Sequence, residues 1–160
     1  MSSSLATLIL IGSLVLQTRS AMAQNTPCVF CQIATEGRDS DRVIFRDSSV
    51  VAFLSHGPVN TGHVLVVPLR HAARVEDVPD STIRDMMSLA RRMSMAIQRT
   101  DIKAEGFRYQ INSGPAAGQE VFHVHLHVIP RFANEPPPAK KIHTTEELKP
   151  IADKIRAAME

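Results

Sequence analysis

The stretch His123-Val124-His125-Leu126-His127-Val128-Ile129 sets three imidazoles two residues apart, with aliphatic residues between them. In an extended strand successive side chains point to opposite faces. The spacing therefore predicts a strand with His123, His125 and His127 on one face and Val124, Leu126 and Val128 on the other. One face carries chemistry and the other a core. Imidazole serves as nucleophile, acid, base or metal ligand near neutral pH, so three of them on one rigid element predict a reaction site.

Outward from this run, Gly106 to Asn112 reads as a strand, and the loop Ser113 to Gln119 delivers the chain into the histidines. In His63-Val64-Leu65-Val66-Val67-Pro68, four consecutive aliphatics predict a strand buried on both faces and hence central in its sheet. Val43 to Phe45 and Val50 to Leu54 flank the turn Arg46 to Ser49, which predicts a β-hairpin. Gly57 to Gly62 is a sharp loop.

From Asp80 the periodicity becomes helical, with Ile83, Met86, Met87, Ala90, Met93 and Ile97 at three- and four-residue steps and Asp80 or Ser81 as the expected N-cap. Its methionines read as gap-fillers against a sheet. Val29, Phe30 and Ile33 suggest a short helical turn. Beyond Arg131, Glu135-Pro136-Pro137-Pro138 is an extended spacer, and Thr144 with Glu147 resembles a capping box ahead of Leu148, Ile151 and Ile155. Pro150 is expected to kink this helix or delay its start. About five strands and two main helices, with strand connections too short for crossovers, predict an α+β domain built on an antiparallel sheet.

A chain of 160 residues fits one domain. A net charge of +2 with 21% charged residues is too small to indicate nucleic-acid or membrane binding, so neither is expected. Leu5 to Leu16 lacks charge, and Ala21-Met22-Ala23 before Gln24 has the small-x-small form of a cleavage site. Residues 1–23 thus read as a signal peptide, predicting a periplasmic or secreted protein with no stable membrane association after its removal. No Lys or Arg precedes the apolar run, and the alternative is a cytoplasmic protein starting at Met22. On either reading a folded domain spans 27–132, followed by a spacer and C-terminal helix over 133–160. Cys28 and Cys31 are the only cysteines; Cys-x-x-Cys fits half a zinc site, a redox pair or a short disulfide.

Taken together, the His123–Ile129 run, Gly62-His63-Val64-Leu65-Val66-Val67-Pro68 with His71, Asn112, Gly118-Gln119 and Cys28-x-x-Cys31 resemble the histidine-triad (HIT) superfamily of nucleotide hydrolases and transferases, in its Hint-like branch. The resemblance covers nearly all of Cys28 to Arg131. It implies a HIT-like fold in which His125 attacks the α-phosphorus of a nucleoside phosphoramidate or nucleotide conjugate, giving a nucleotidyl-histidine. His127 would contact phosphate oxygens or the leaving group, and Gln119 with the Gly118 backbone would hold the phosphoryl group. Asn112 would face the nucleotide phosphate and Phe53 would join the nucleotide-binding set. His63 either reaches the same pocket or is bonded to its own loop.

The resemblance further implies a structural zinc on Cys28, Cys31, His71 and His123, a purine nucleotide or nucleotide conjugate as ligand, and a homodimer. Two departures stand out: Ser55 where members often carry an acid for the ribose, and Glu120 near the leaving group, where some carry Ser or Thr. The 114–118 loop has no Walker lysine, so no Mg²⁺ requirement is implied. Two other readings remain open. One is a hydrolase whose catalytic metal sits on the His-x-His-x-His strand; the other is a HIT-fold nucleotide sensor or scaffold with little turnover.

Overall fold

Hydrophobic alternation builds the molecule in three layers. A computed structural model describes residues 27–133 and 141–160; the leader 1–23 and the spacer Glu135–Pro138 lie outside the described residues. Five strands, β1 (Val43–Arg46), β2 (Val50–Leu54), β3 (Val64–Pro68), β4 (Gly106–Ile111) and β5 (Leu126–Arg131), form one sheet in the order β1-β2-β3-β5-β4. Every neighbouring pair is antiparallel, as expected.

The central strands β2 and β3 are buried along their whole length, because both sheet faces are covered. Ala52, Leu54, Val64, Val66, Leu126 and Val128 face two long helices, α2 (Asp80–Gln98) and α3 (Thr145–Ala157). Val51, Phe53, Leu65 and Val67 face the short helix α1 (Val29–Thr35) through Phe30, Ile33 and Ala34. In the β3–β5 ladder Leu65 stands opposite His127, which puts the histidine row on the α1 side of the sheet. Helix α1 is only seven residues long and leaves part of that face open.

Three local expectations are corrected. Strand β5 begins at Leu126, so only His127 of the three histidines lies in the regular ladder; His123 and His125 occupy the extended lead-in, where the Val124 N–H donates to Ala72 O at 2.8 Å. The alternation of faces survives because that lead-in remains extended. Helix α2 is preceded by Pro79 and has no side-chain cap, neither Asp80 nor Ser81 serving as one. Helix α3 starts ahead of Pro150, at a Thr144–Glu147 capping box, and continues past it to Ala157, so the proline does not delay its start. Proline removes one N–H donor on the exposed face, while Leu148, Ala152 and Ile155 stay buried on the other and hold the helix down.

Candidate active site

The open part of the α1 face is a cavity of about 410 Å³. Its floor is His125 and His127, and its rim is drawn from α1, the β2–β3 loop, β4 and the 112–121 segment. His63, Asn112 and Gly118 line it as well, so five of the sequence-predicted residues or their neighbours converge on one space.

Hydrogen bonding decides which nitrogen of each imidazole carries a proton. His125 Nδ1 lies 2.7 Å from the His123 carbonyl oxygen, which can only accept, so Nδ1 bears the hydrogen and Nε2 keeps a free lone pair. The Val59 N–H donates to His63 Nδ1 at 3.1 Å, which leaves the His63 proton on Nε2. That atom stands 2.9 Å from His127 Nδ1 and donates to it, so His127 carries its own proton on Nε2. Burial holds these rings neutral: it pushes His63 down to about 3 and His127 to about 4, each helped by the neighbouring imidazoles of the row, which disfavour a second positive charge, and it lowers His125. The ring centroids of His125 and His127 are 4.7 Å apart. A bare nucleophilic nitrogen thus sits beside a directed N–H donor.

Phe30 packs edge-on against His125 at 5.1 Å and against Phe53 at 5.4 Å. Phe53 is itself fully buried and does not line the cavity, a correction to its expected place in the nucleotide-binding set. It lies in the layer beneath, where a strand buried on both faces puts it, and supports the ring that supports His125.

Gln119 requires a second correction. Its Oε1 accepts from the Gly114 N–H at 2.7 Å, and its Nε2 donates to the carbonyls of Ala73 at 2.7 Å and Val121 at 3.0 Å. The side chain is buried and spent on its own loop rather than turned to the cavity. The loop it ties carries Gly118, whose φ of +79° suits glycine, and Asn112, whose Nδ2 donates to Gly118 O at 3.2 Å. Glu120 faces the cavity, and its charge counteracts the lowering of His125 and His127. Ser55 also lines the wall.

Residues not anticipated from sequence are Val29, Arg42, Arg108, Gln110 and Ile142. Arg108 and Gln110 were detectable in principle, since they share the two-residue period of Asn112 along one strand face. Nothing local marks Ile142, which reaches the cavity from the far end of the chain.

Beside the cavity, Cys28, Cys31, His71 and His123 bring four potential ligand atoms within 4.8 Å of one another. Cys28 Sγ and Cys31 Sγ each lie 3.5 Å from His123 Nδ1, and Cys31 Sγ lies 3.3 Å from His71 Nδ1. Tetrahedral zinc with Zn–S of about 2.3 Å and Zn–N of about 2.0 Å requires ligand separations of roughly 3.6 Å. The donor set therefore fits zinc. His123 donates from Nε2 to the Pro68 carbonyl at 3.0 Å, which frees Nδ1 for a metal and aims it. Both cysteines are free thiols, and burial with the neighbouring Cys28 pushes Cys31 up to about 11. Among the described residues this cluster excludes His125 and His127.

Comparison with known proteins places this architecture. An uncharacterized HIT-like protein of Saccharolobus solfataricus is 38% identical over 109 residues, covering 68% of this chain and 77% of the relative. An adenylylsulfatase of Arabidopsis thaliana is 36% identical over 118 residues, covering 72% of this chain and 57% of that one. A zinc-bound histidine triad family protein from Mycobacterium smegmatis superposes with a TM-score of 0.74 at 32% identity, over 83% of this chain and 93% of that chain. Diadenosine triphosphate hydrolase of Plasmodium falciparum superposes with a TM-score of 0.64 at 26% identity, over 73% and 75%. The HIT domain family model matches residues 36–134, a span that carries the histidine row, the loops around it and most of the cavity's lining, and the chain belongs to the HIT domain family.

Proposed function

We propose that this protein is a nucleotide hydrolase or nucleotidyl transferase that works at the α-phosphorus of nucleoside phosphoramidates or related nucleotide conjugates. The observation that carries the reading is the His125 Nδ1–H bond to the His123 carbonyl, which leaves Nε2 unprotonated at the cavity floor. His125 Nε2 attacks phosphorus and forms a P–N bond as the bond to the leaving group breaks. His127 Nε2–H, aimed by His63, stabilises the charge that develops on the departing atom. The leaving group takes its proton from solvent. Water then attacks phosphorus, breaks the P–Nε2 bond, releases the nucleotide and returns His125 to its neutral form.

Zinc on Cys28, Cys31, His71 and His123 is part of this reading. With four protein ligands a bound zinc would have no position left for water, so its part would be structural. Cys28, Cys31, His71 and His123 would then tie the start of α1 to the lead-in of β5, two residues before the nucleophile. The similarity to an adenylylsulfatase and to a diadenosine triphosphate hydrolase supports a nucleotide substrate. A homodimer completes the proposal: β4 is an edge strand, and Tyr109 and Ile111 on it are exposed beside Met87 of α2.

The test is a rapid quench with adenosine 5′-phosphoramidate followed by mass spectrometry. A nucleotidyl group on the peptide carrying His125, absent from His125→Asn, is expected. Turnover by His125→Asn at the wild-type rate would refute the mechanism.

A further inference from the structure

The last described segment of the chain, residues 141–160, lies beyond the span matched by the HIT domain, yet it borders the catalytic cavity. Helix α3 is anchored against the sheet by Leu148, Ala152 and Ile155, all buried, and by the Arg156 guanidinium, which donates to the Val43 carbonyl at 2.5 Å. Its start is set by the capping box of Thr144 and Glu147. Immediately before that cap, the His143 N–H donates to the His56 carbonyl at 2.7 Å, which pins this segment to the β2–β3 loop. Ile142 then packs on Gly57, where a Cβ would meet Ile142 Cδ1 at 3.4 Å.

The result is an isoleucine packed on Gly57 and pinned through the next residue, His143, lining the cavity while 64% exposed. On the β2 side the cavity is lined by the apolar Val29, Phe30 and Ile142, with Arg42, Ser55 and His56 beside them; on the β4 edge it is lined by Arg108, Gln110 and Asn112, with no apolar residue among them. His125 and His127 lie between these ends. A nucleotide with its α-phosphorus at His125 places a polar leaving group well against Arg108, Gln110 and Asn112. Its base, a flat and largely apolar surface, fits the isoleucine end.

We infer that Ile142 is a specificity-determining wall of the nucleoside end of the site, covering the base and favouring purines because they present the larger face. This rests on the nucleotide reading above. The C-terminal helix then serves recognition as well as packing, by delivering one apolar side chain to a site whose chemistry lies entirely in the HIT domain.

The experiment uses the full chain. AMP and CMP affinities are measured by calorimetry, and KM and kcat are measured with adenosine and cytidine 5′-phosphoramidates sharing one amine. Ile142→Ala should weaken AMP binding about fivefold, with CMP affected less, because apolar cover is lost in proportion to area. KM should rise, kcat should stay within about twofold, and Ile142→Val should recover most of the loss. Unchanged AMP affinity and an unchanged purine-to-pyrimidine ratio in Ile142→Ala overturn the inference, while the His125 adduct leaves the catalytic reading standing. Absence of AMP and CMP binding by the wild-type protein overturns both.

Discussion

His63 Nε2 donates to His127 Nδ1 across 2.9 Å, and this one bond fixes the tautomer of His127, while His125 takes its own from the His123 carbonyl. His63 immediately precedes β3 and His127 lies in the neighbouring β5, 64 positions away in sequence. His63 is itself oriented by the Val59 N–H, so the tautomer of His127 is dictated by a backbone group two residues removed in the network. Replacing His63 with Phe keeps the ring volume and deletes the donor. The expected outcome is a fall in kcat of up to about 100-fold with little change in KM, because the His127 N–H is no longer aimed. Wild-type kinetics in His63→Phe would show that His127 needs no such partner.

The same pair makes stability pH-dependent. Burial holds His63 near 3 and His127 near 4 in the folded protein, whereas both titrate near 6.5 when unfolded. Between pH 6.5 and about 4 the unfolded chain binds more protons than the native one, so stability rises with pH across that window and is fully present above it. Urea titrations at pH 7, 6 and 5 should give falling midpoints, and the decline should be shallower in His63→Phe. Equal midpoints from pH 7 to 5 would refute this.

Zinc should be measurable as about one equivalent per chain. Cys31→Ser is expected to lose it, since Cys31 lies within 3.5 Å of both ligand imidazoles. His125→Asn should keep it. Free zinc at about a thousand times its dissociation constant stabilises the fold by about 4 kcal/mol, so a chelator should lower the thermal midpoint of the wild type and leave Cys31→Ser unmoved. Loss of metal from His125→Asn would instead favour a catalytic ion on the strand.

Gln119 is expected to behave as a structural residue. Its amide joins the buried Gly114 N–H to the half-buried carbonyls of Ala73 and Val121, and Gln119→Ala leaves them without it at a cost of about 1–3 kcal/mol. In a domain of this size that lowers the thermal midpoint by several degrees. Gln119→Glu should do worse, since a carboxylate would face two carbonyl oxygens. Full stability in both variants, with activity abolished, would return Gln119 to the phosphate.

The sequence alone determined much of the architecture, because the relevant signals are local. Two-residue alternation around His123–Ile129, the aliphatic run of Val64–Val67 and the three- and four-residue steps of α2 each report a periodicity that the backbone imposes. The capping box at Thr144 is equally local. Resemblance to the HIT family added Cys28, Cys31, His71 and His123 as a candidate metal set, and the fold brings the four together. What only the tertiary structure decided depends on partners distant in the chain. The roles of the imidazoles follow from acceptors and donors at Val59, His63 and the His123 carbonyl, and a motif does not record hydrogen-bond direction. Phe53 and Gln119 have side chains suited to a ligand, but packing on both sheet faces buries the first and three loop groups consume the second. Ile142 reads as an ordinary exposed aliphatic until α3 docks and sets it beside Gly57. Composition and spacing state which groups exist and which share a face; only closure of the chain on itself states what each group points at.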